Sequence, residues 1–447
     1  MEQRFELIGA EFSYGRKIEI LQKFLGEKYF HENGIMYSMW FWDDLPRPFL
    51  EKDFGPCKNL CPKTIKPSGE IGWMHGENSL MISGNFLAAM ALRYQSTAEP
   101  DALHYCRRAF NSITLIYALA IKKGRPGYLC KPFSWEYSEE TSPDQYICVM
   151  HGLWQFYKIA AAQEQEIIRD MICAMADWWK QKDYILTYLS IKWCILPHHA
   201  PSMACLNSLA ARMSGVSAYR AESIRLLKLA GAWPTWVDRN RREIYHPTGF
   251  PAEKGGCRWP EHLYGSEYDV TRRSFLLYLC EMGEIWLTMI NADYFLETEE
   301  LPTDFLKHVI YRDFKDSQIG LRNDLLSHHE VQIDLEKNCW YPVSQKDSHN
   351  GILRSFGGDW CWMDGNSRIL DCAVIAHQHA PEFCDGAISL YKSMMTRLDD
   401  ERLHWFVHPN RGIIPPEKHG PLLVMSSDVA VYTLMAYWRS IANKIPV

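Results

Sequence analysis

One aspartate heads a helix that has almost no other polar face. In SPDQYICVMHGLWQFYKIA (142–160), Asp144 follows Ser-Pro and leads a run apolar on nearly every side. Beyond it Cys148, His151 and Gln155 recur at intervals of four, three and four, which stacks them with Asp144 in one narrow stripe. Such a stripe on a buried helix needs partners or water, because an unpaired buried polar group costs about 1–3 kcal/mol. A carboxyl in that setting can pass a proton to or from a reacting oxygen. The local account of the same residues is helix capping. Ser142 at N-cap, Pro143 at N1 and Gln145 at N3 form a capping box, and Asp144 complements the helix dipole. The preceding loop, KPFSWEYSEETS, adds Trp135, Tyr137, Glu139 and Glu140, which suit the rim of a wet cavity.

Three other segments carry similar groups. MWFWDDLPRPFLE sets Asp43 and Asp44 behind aromatic residues, as a sugar-facing rim would, and a surface turn is the alternative. GGDWCWMDGNSRILD has Gly357 and Gly358 for a tight backbone, Trp360 and Trp362 as platforms, and Asp364 leading a helix with Asn366 and Arg368 in its first turn or so. Here the alternative is a plain N-cap role for Asp364. RGIIPPEKHG offers Arg411, Lys418 and His419, cations able to hold a sugar acid unless the loop is simply solvated. Two carboxyls facing one hollow are what glycosidic hydrolysis requires: one protonates the leaving oxygen, the other handles water or the sugar. Asp144 is the expected acid, with Asp364 or Asp44 as its partner; desolvation among Trp and Tyr would raise the acid's pKa toward neutrality.

What must position these groups is a set of helices. Apolar periodicity predicts helices over 16–30, 78–97, 100–122, 143–162, 164–181, 202–214, 216–231, 268–291, 302–313, 365–380, 384–397 and 427–443. Strand alternation is scarce, with EIYHP and LHWFVHP as short ribbon candidates in loops. Some helices are charged on one face; others, starting near 80, 143, 202, 268, 366 and 427, are apolar all round or rich in small residues and must be covered. Starts mostly about sixty residues apart fit a repeated pair of an inner and an outer helix, longer than common solenoid units. Six such pairs close into an all-α (α/α)6 toroid, a single domain over 1–447 with short β-ribbon insertions. An irregular helical bundle or solenoid is the alternative.

Composition narrows the partners. Net charge is −6 with both signs interspersed, so no basic stripe points to nucleic acid. No apolar run is long enough to span a bilayer, and the N-terminus lacks a signal peptide pattern. The 14 Cys lie among apolar neighbours, as buried thiols do in a reducing compartment, so a cytoplasmic location is expected. With 17 Trp and 23 Tyr, the chain has more amphipathic aromatics than core filling alone explains. The histidines lack HExxH spacing, Cys57 and Cys61 stand alone, and no P-loop, dinucleotide fingerprint or nucleophile elbow occurs, so neither metal nor cofactor is expected.

The helix AEPDALHYCRRAFNSI, a loop, and SPDQYICVMHGLWQFYKIA together resemble the outer and inner helix of a six-hairpin glycosidase. In pattern they are most similar to the unsaturated glucuronyl and rhamnogalacturonyl hydrolases, whose inner-helix Asp is followed by a Tyr. Asp144 and Tyr146 match those positions, and the likeness covers roughly residues 77–163. It implies the toroid, an acid role for Asp144 and an oligosaccharide substrate. Asp43, Trp135, Tyr137, Glu140, Gln145, His151, Trp360, Trp362, Arg368, Arg411 and His419 are the expected substrate contacts. Three alternatives stay open. A sugar epimerase or lyase on this fold would use His151, His377 or His379 as base. A terpenoid cyclase would use the near-match NDLLSHHE (323–330) to bind magnesium. A non-catalytic scaffold would not bring Asp144 and Asp364 to one pocket. Oligomeric state is not legible.

Overall fold

A computed structural model describes residues 14–42, 46–54, 69–188, 191–196, 199–229, 274–278, 282–318, 321, 330–334, 339–342, 363–398, 407–409 and 423–445. Six helices form the inner layer: α3 (Ser79–Thr97), α5 (Pro143–Tyr157), α7 (Ala200–Ser214), α9 (Met282–Thr298), α11 (Met363–His379) and α13 (Ser427–Ala442). Each touches the next, and α13 returns to α3, so the ring is closed. Outside them lie α4 (Pro100–Ile121), α6 (Ala162–Gln181), α8 (Ser217–Leu229), α10 (Thr303–Ser317) and α12 (Ala387–Leu398), each packed on the inner helix that precedes it. The sixth outer position is filled from the other end of the chain. Helix α1 (Tyr14–Lys28) packs on α13, and Trp438 Nε1 donates to Gln22 Oε1 at 3.0 Å.

Burial separates the layers as the sequence patterns do. Helix α3 is buried without a break from Ser79 to Arg93, and α7 from Ala200 to Ala210. Outer α4 and α6 bury only stripes, such as Ala102, Cys106, Ala109, Ile113 and Ile116, or Ile168, Ile172, Met175 and Trp179. The small residues have a specific use where α3 meets α5. A Cβ on Gly84 would lie 2.5 Å from the carbonyl carbon of Cys148, and one on Gly152 would lie 2.3 Å from the Gly84 oxygen. The two backbones are therefore in direct contact, which no side chain would permit.

All six inner helices run in one sense. Near the starts of α3 and α5, Gln145 meets Asn78; at their ends Gln95 Nε2 donates to the Gln155 carbonyl at 3.4 Å. Arg212, late in α7, donates to the carbonyl of Thr298 that closes α9, and His379, Asp293 and Arg439 join the late turns of α11, α9 and α13. The N-termini thus share one rim.

Small sheets border that rim. Strands β1 (Met39–Trp42), β2 (Pro46–Arg47), β8 (Val407–Pro409) and β9 (Leu423–Ser426) form an antiparallel sheet in the order β2-β1-β9-β8, with Met39 opposite Ser426, and β9 runs directly into α13. A hairpin joins β3 (Ile185–Tyr188) to β4 (Ile191–Cys194), and β5 (Ser274–Tyr278), β6 (Glu330–Asp334) and β7 (Cys339–Pro342) form a third sheet. Short helix α2 (Gly69–Gly76) enters the rim ahead of α3.

One helix boundary needs correction. The helix expected over 268–291 begins at Met282, because SFLLY pairs with β6 as a strand. A run apolar on every face is compatible with either structure, and only the partner strand decides. LHWFVHP ends in β8, whereas EIYHP lies outside the described residues. Among the described residues no helix is long and apolar enough to cross a membrane, and eight cysteines are free thiols, among them Cys106, Cys148 and Cys372 in the core.

Candidate active site

Asp144 sits half-buried at the rim, one position into α5 after Pro143, with Ser142 in an extended conformation before it. The expected capping box does not form. Ser142 turns its hydroxyl onto Asp144 Oδ1, which also accepts the Gln145 amide at 3.0 Å. Gln145 is fully buried and reaches across to α3 instead. Its Oε1 accepts the Met81 amide at 3.3 Å, and its Nε2 donates to Asn78 Oδ1 at 3.5 Å. Its expected role as a substrate contact is therefore corrected: with α3 and α5 in backbone contact, the orphan amides of α3 draw the glutamine away from its own helix start. Both hydrogen bonds to Asp144 fall on Oδ1; none engages Oδ2 among the described residues.

Beside Asp144 the rim is built on a buried ion pair. Lys131 Nζ lies 2.7 Å from Glu77 Oε1 and donates to the Glu77 carbonyl at 3.0 Å, while the Lys131 amide donates to the Glu140 carbonyl at 2.8 Å. This ties the loop before α5 to the turn before α3. It also holds Ser134 (φ 53) and Trp135 (φ 64) in the left-handed region, a conformation that costs a non-glycine residue energy and clusters at functional sites. The bend stacks Trp135 on His31 at 4.4 Å and on His75 at 5.6 Å between centroids, with Tyr37 edge-on to all three rings. His75 is buried, and its pKa is pushed down to about 4, first by desolvation and then by neighbouring His31. Its Nε2 has no hydrogen-bond partner among the described residues. Tyr37 is pushed up to about 12 by burial and by Glu32.

The expected site residues separate into groups. Asp144, Trp135 and Glu140 belong to this rim and its loop. Tyr137 lies on the same loop, half-buried, with the Lys123 and Arg125 cations over its ring at 5.9 and 5.8 Å. Asp364 occupies the first turn of α11, which starts at the same rim as α5; its side chain, together with Asp43, Asp44, Trp360, Trp362, Arg411 and His419, lies outside the described residues. The NDLLSHHE segment does too, except for Glu330, which opens β6. Arg368 is buried in the wall, its guanidinium 4.8 Å over the Tyr432 ring and donating to that hydroxyl at 3.3 Å.

His151 is further down the axis. Seven residues after Asp144, it lies about 10 Å deeper at 1.5 Å per residue. Its Nε2 donates to Asn291 Oδ1 at 3.2 Å, and Asn291 Nδ2 donates to Ser202 Oγ at 2.7 Å, a chain linking α5, α9 and α7 across the ring. Burial pushes the His151 pKa down to about 4 against the opposing pull of Asn291 and Asp293. The polar stripe of α5 does face inward, but protein groups take it up: Cys148 Sγ accepts from Asn85 Nδ2 at 3.5 Å. Deeper still, Arg439 binds both Asp293 and Asp371, Trp286 Nε1 donates to Asp371 Oδ2 at 2.8 Å, and His379 Nε2 meets Asp293 Oδ1 at 2.6 Å. Asp293 is held well below the usual carboxylate range: burial works against ionisation, and Arg439 and His379 outweigh it. Neither this network nor the Glu77–Lys131 pair was expected from sequence. The available signal was NAD inside the apolar run EIWLTMINADYFLE, since a charge within an all-buried helix must have a partner.

No protein-family model matches the chain, and no curated protein sequence matches it. Solved structures do share its fold. An unsaturated glucuronyl hydrolase mutant from Streptococcus agalactiae, complexed with dGlcA-GalNAc6S, superposes with a TM-score of 0.50 at 10% identity, over 100% of this chain and 96% of that one. An unsaturated glucuronyl hydrolase specific for heparin gives 0.52 at 8% identity, over 95% of each. A sugar epimerase from a ruminal bacterium gives 0.49 at 10% identity, over 96% of this chain and 100% of that one. The chain has the six-hairpin, glycosidase-like (α/α)6 fold of the unsaturated glucuronyl hydrolases.

Proposed function

We propose that this chain is a carbohydrate-active enzyme, a glycoside hydrolase of short acidic or decorated oligosaccharides with Asp144 as its general acid. The observation that carries the reading is the position of Asp144: half-buried at the N-terminal rim of an inner helix, one carboxyl oxygen anchored by Ser142 and the Gln145 amide, the other uncommitted among the described residues. An anchored carboxyl keeps its proton-transferring oxygen in a fixed direction, which general acid catalysis needs. Asp364, at the start of the parallel helix α11, and Asp44 are the candidates for the second carboxyl. The acidic substrate class is supported by the fold shared with unsaturated glucuronyl hydrolases and by the cations Arg411, Lys418 and His419. Sugar epimerisation, the alternative on this fold, is less well supported: His151 is bonded to Asn291 inside the barrel, and His379 is bonded to Asp293.

The test is turnover of unsaturated uronate-ended disaccharides alongside saturated ones. Asp144→Asn should lower kcat/KM by about 10²–10⁴ while leaving circular dichroism and thermal melting unchanged, and His151→Gln should retain turnover. Full activity in Asp144→Asn, or hydrolysis of none of these disaccharides by the wild type, overturns the reading.

A further inference from the structure

At the end of the barrel opposite Asp144, the last turns of α3, α5, α9, α11 and α13 surround a cavity of about 830 Å³. Eleven residues of α5 separate Asp144 from Gln155 in its wall, about 16 Å along the axis. The His151–Asn291–Ser202 chain lies at an intermediate height. This cavity is therefore distinct from the mouth, and its volume is in the range of sites for small organic ligands.

Its lining defines the ligand by exclusion and by fit. The cations are already matched: Lys158 with Glu297 at 2.5 Å, Lys307 with Glu382 at 2.6 Å, and Arg439 with Asp293. A strongly anionic ligand would have to displace one of these carboxylates. Converging helix C-termini and a fourth carboxylate, Glu299, oppose an anion, while four carboxylates against three cations leave too small a net charge to hold a polycation. Among the described residues no Trp, Tyr or Phe lines the space and the one imidazole, His379, is bonded to Asp293, so a flat apolar ring finds no platform. Four amides line the space with one end of each already hydrogen-bonded, which leaves Gln95 Oε1 and Asn443 Oδ1 as acceptors and the Gln155 and Gln378 Nε2 groups as donors uncommitted among the described residues. Hydroxyl groups, which donate and accept at once, match that mixture.

We propose that this cavity is a second binding site, taking a neutral saccharide of one or two residues. It does not depend on the reading of Asp144. Ligand-observed NMR titration of the intact chain with glucose, galactose and cellobiose tests it, with glucuronate and spermidine as charged comparisons. Saturable binding of a neutral sugar is expected, retained in Asp144→Asn and weakened about tenfold by Asn443→Ala and by Gln155→Leu, as loss of one hydrogen-bonding group predicts. Asn443 is exposed, so its variant separates lost binding from lost folding. No saturable binding of any neutral sugar overturns the proposal. So does binding confined to the charged probes, binding abolished by Asp144→Asn, or binding indifferent to both wall variants.

Discussion

Lys131 is the residue on which the candidate rim depends. Its ammonium is buried against Glu77, and its backbone holds the loop that bends Trp135 onto the two histidines. A buried ion pair is costly to halve and cheap to replace whole. Lys131→Met should therefore destabilise the fold by about 3–5 kcal/mol, whereas Lys131→Met combined with Glu77→Leu should recover most of that loss in chemical denaturation. Equal destabilisation by the single and the double variant would show that other contacts hold this turn. The residue types at the rim were legible in the sequence, because Trp135, Glu140 and Asp144 fall within two short segments. Their pairings were not. Gln145 has the right spacing to cap its own helix, yet it bonds to α3, since a flexible amide goes where the unsatisfied donor is.

Among the elements, α3 and α5 make the closest pair, and glycine makes it possible. Gly84 and Gly152 meet backbone to backbone, with no space for a methyl group on either. Gly84→Ala should lower stability by about 1–3 kcal/mol through overpacking, read as a fall in melting temperature. It should also shift Asn78 relative to Gln145, and with them the rim that carries Asp144. A melting temperature equal to wild type would mean the two helices can separate freely. Helix positions were readable from periodicity because a core-facing stripe leaves a 3.6-residue signature. Helix α9 was misplaced at its start because SFLLY has no such signature and takes its structure from β6.

For the whole molecule, closure of the ring concentrates polar groups along one axis, and pH should reveal them. His75 and His151 have pKa values pushed down from 6.5 to about 4, so between those values the unfolded chain binds more protons than the folded one. Stability should be fully present above pH 6.5 and fall as pH drops toward 4. A shift of that size is worth up to about 3 kcal/mol per imidazole by that limit. Asp293, with its depressed pKa, adds a further loss only below the ordinary carboxylate range. Denaturation midpoints measured across this window should show the slope, and His151→Gln should reduce it by about one proton. An unchanged slope in that variant would place the titrating group elsewhere.

By itself the sequence determined which segments are helices, which of them are buried all round, and that they alternate in pairs, because burial leaves its period in the order of side chains. It also marked Asp144, an acid heading a helix with no exposed face. Only the tertiary structure decided that α1 completes the ring from the far end of the chain and that all inner helices start at one rim. Only it decided that Asp293 and Asp371 meet Arg439 inside, and that His151 meets Asn291. Those contacts join residues from 68 to 146 positions apart, and a polar side chain in sequence does not name its partner.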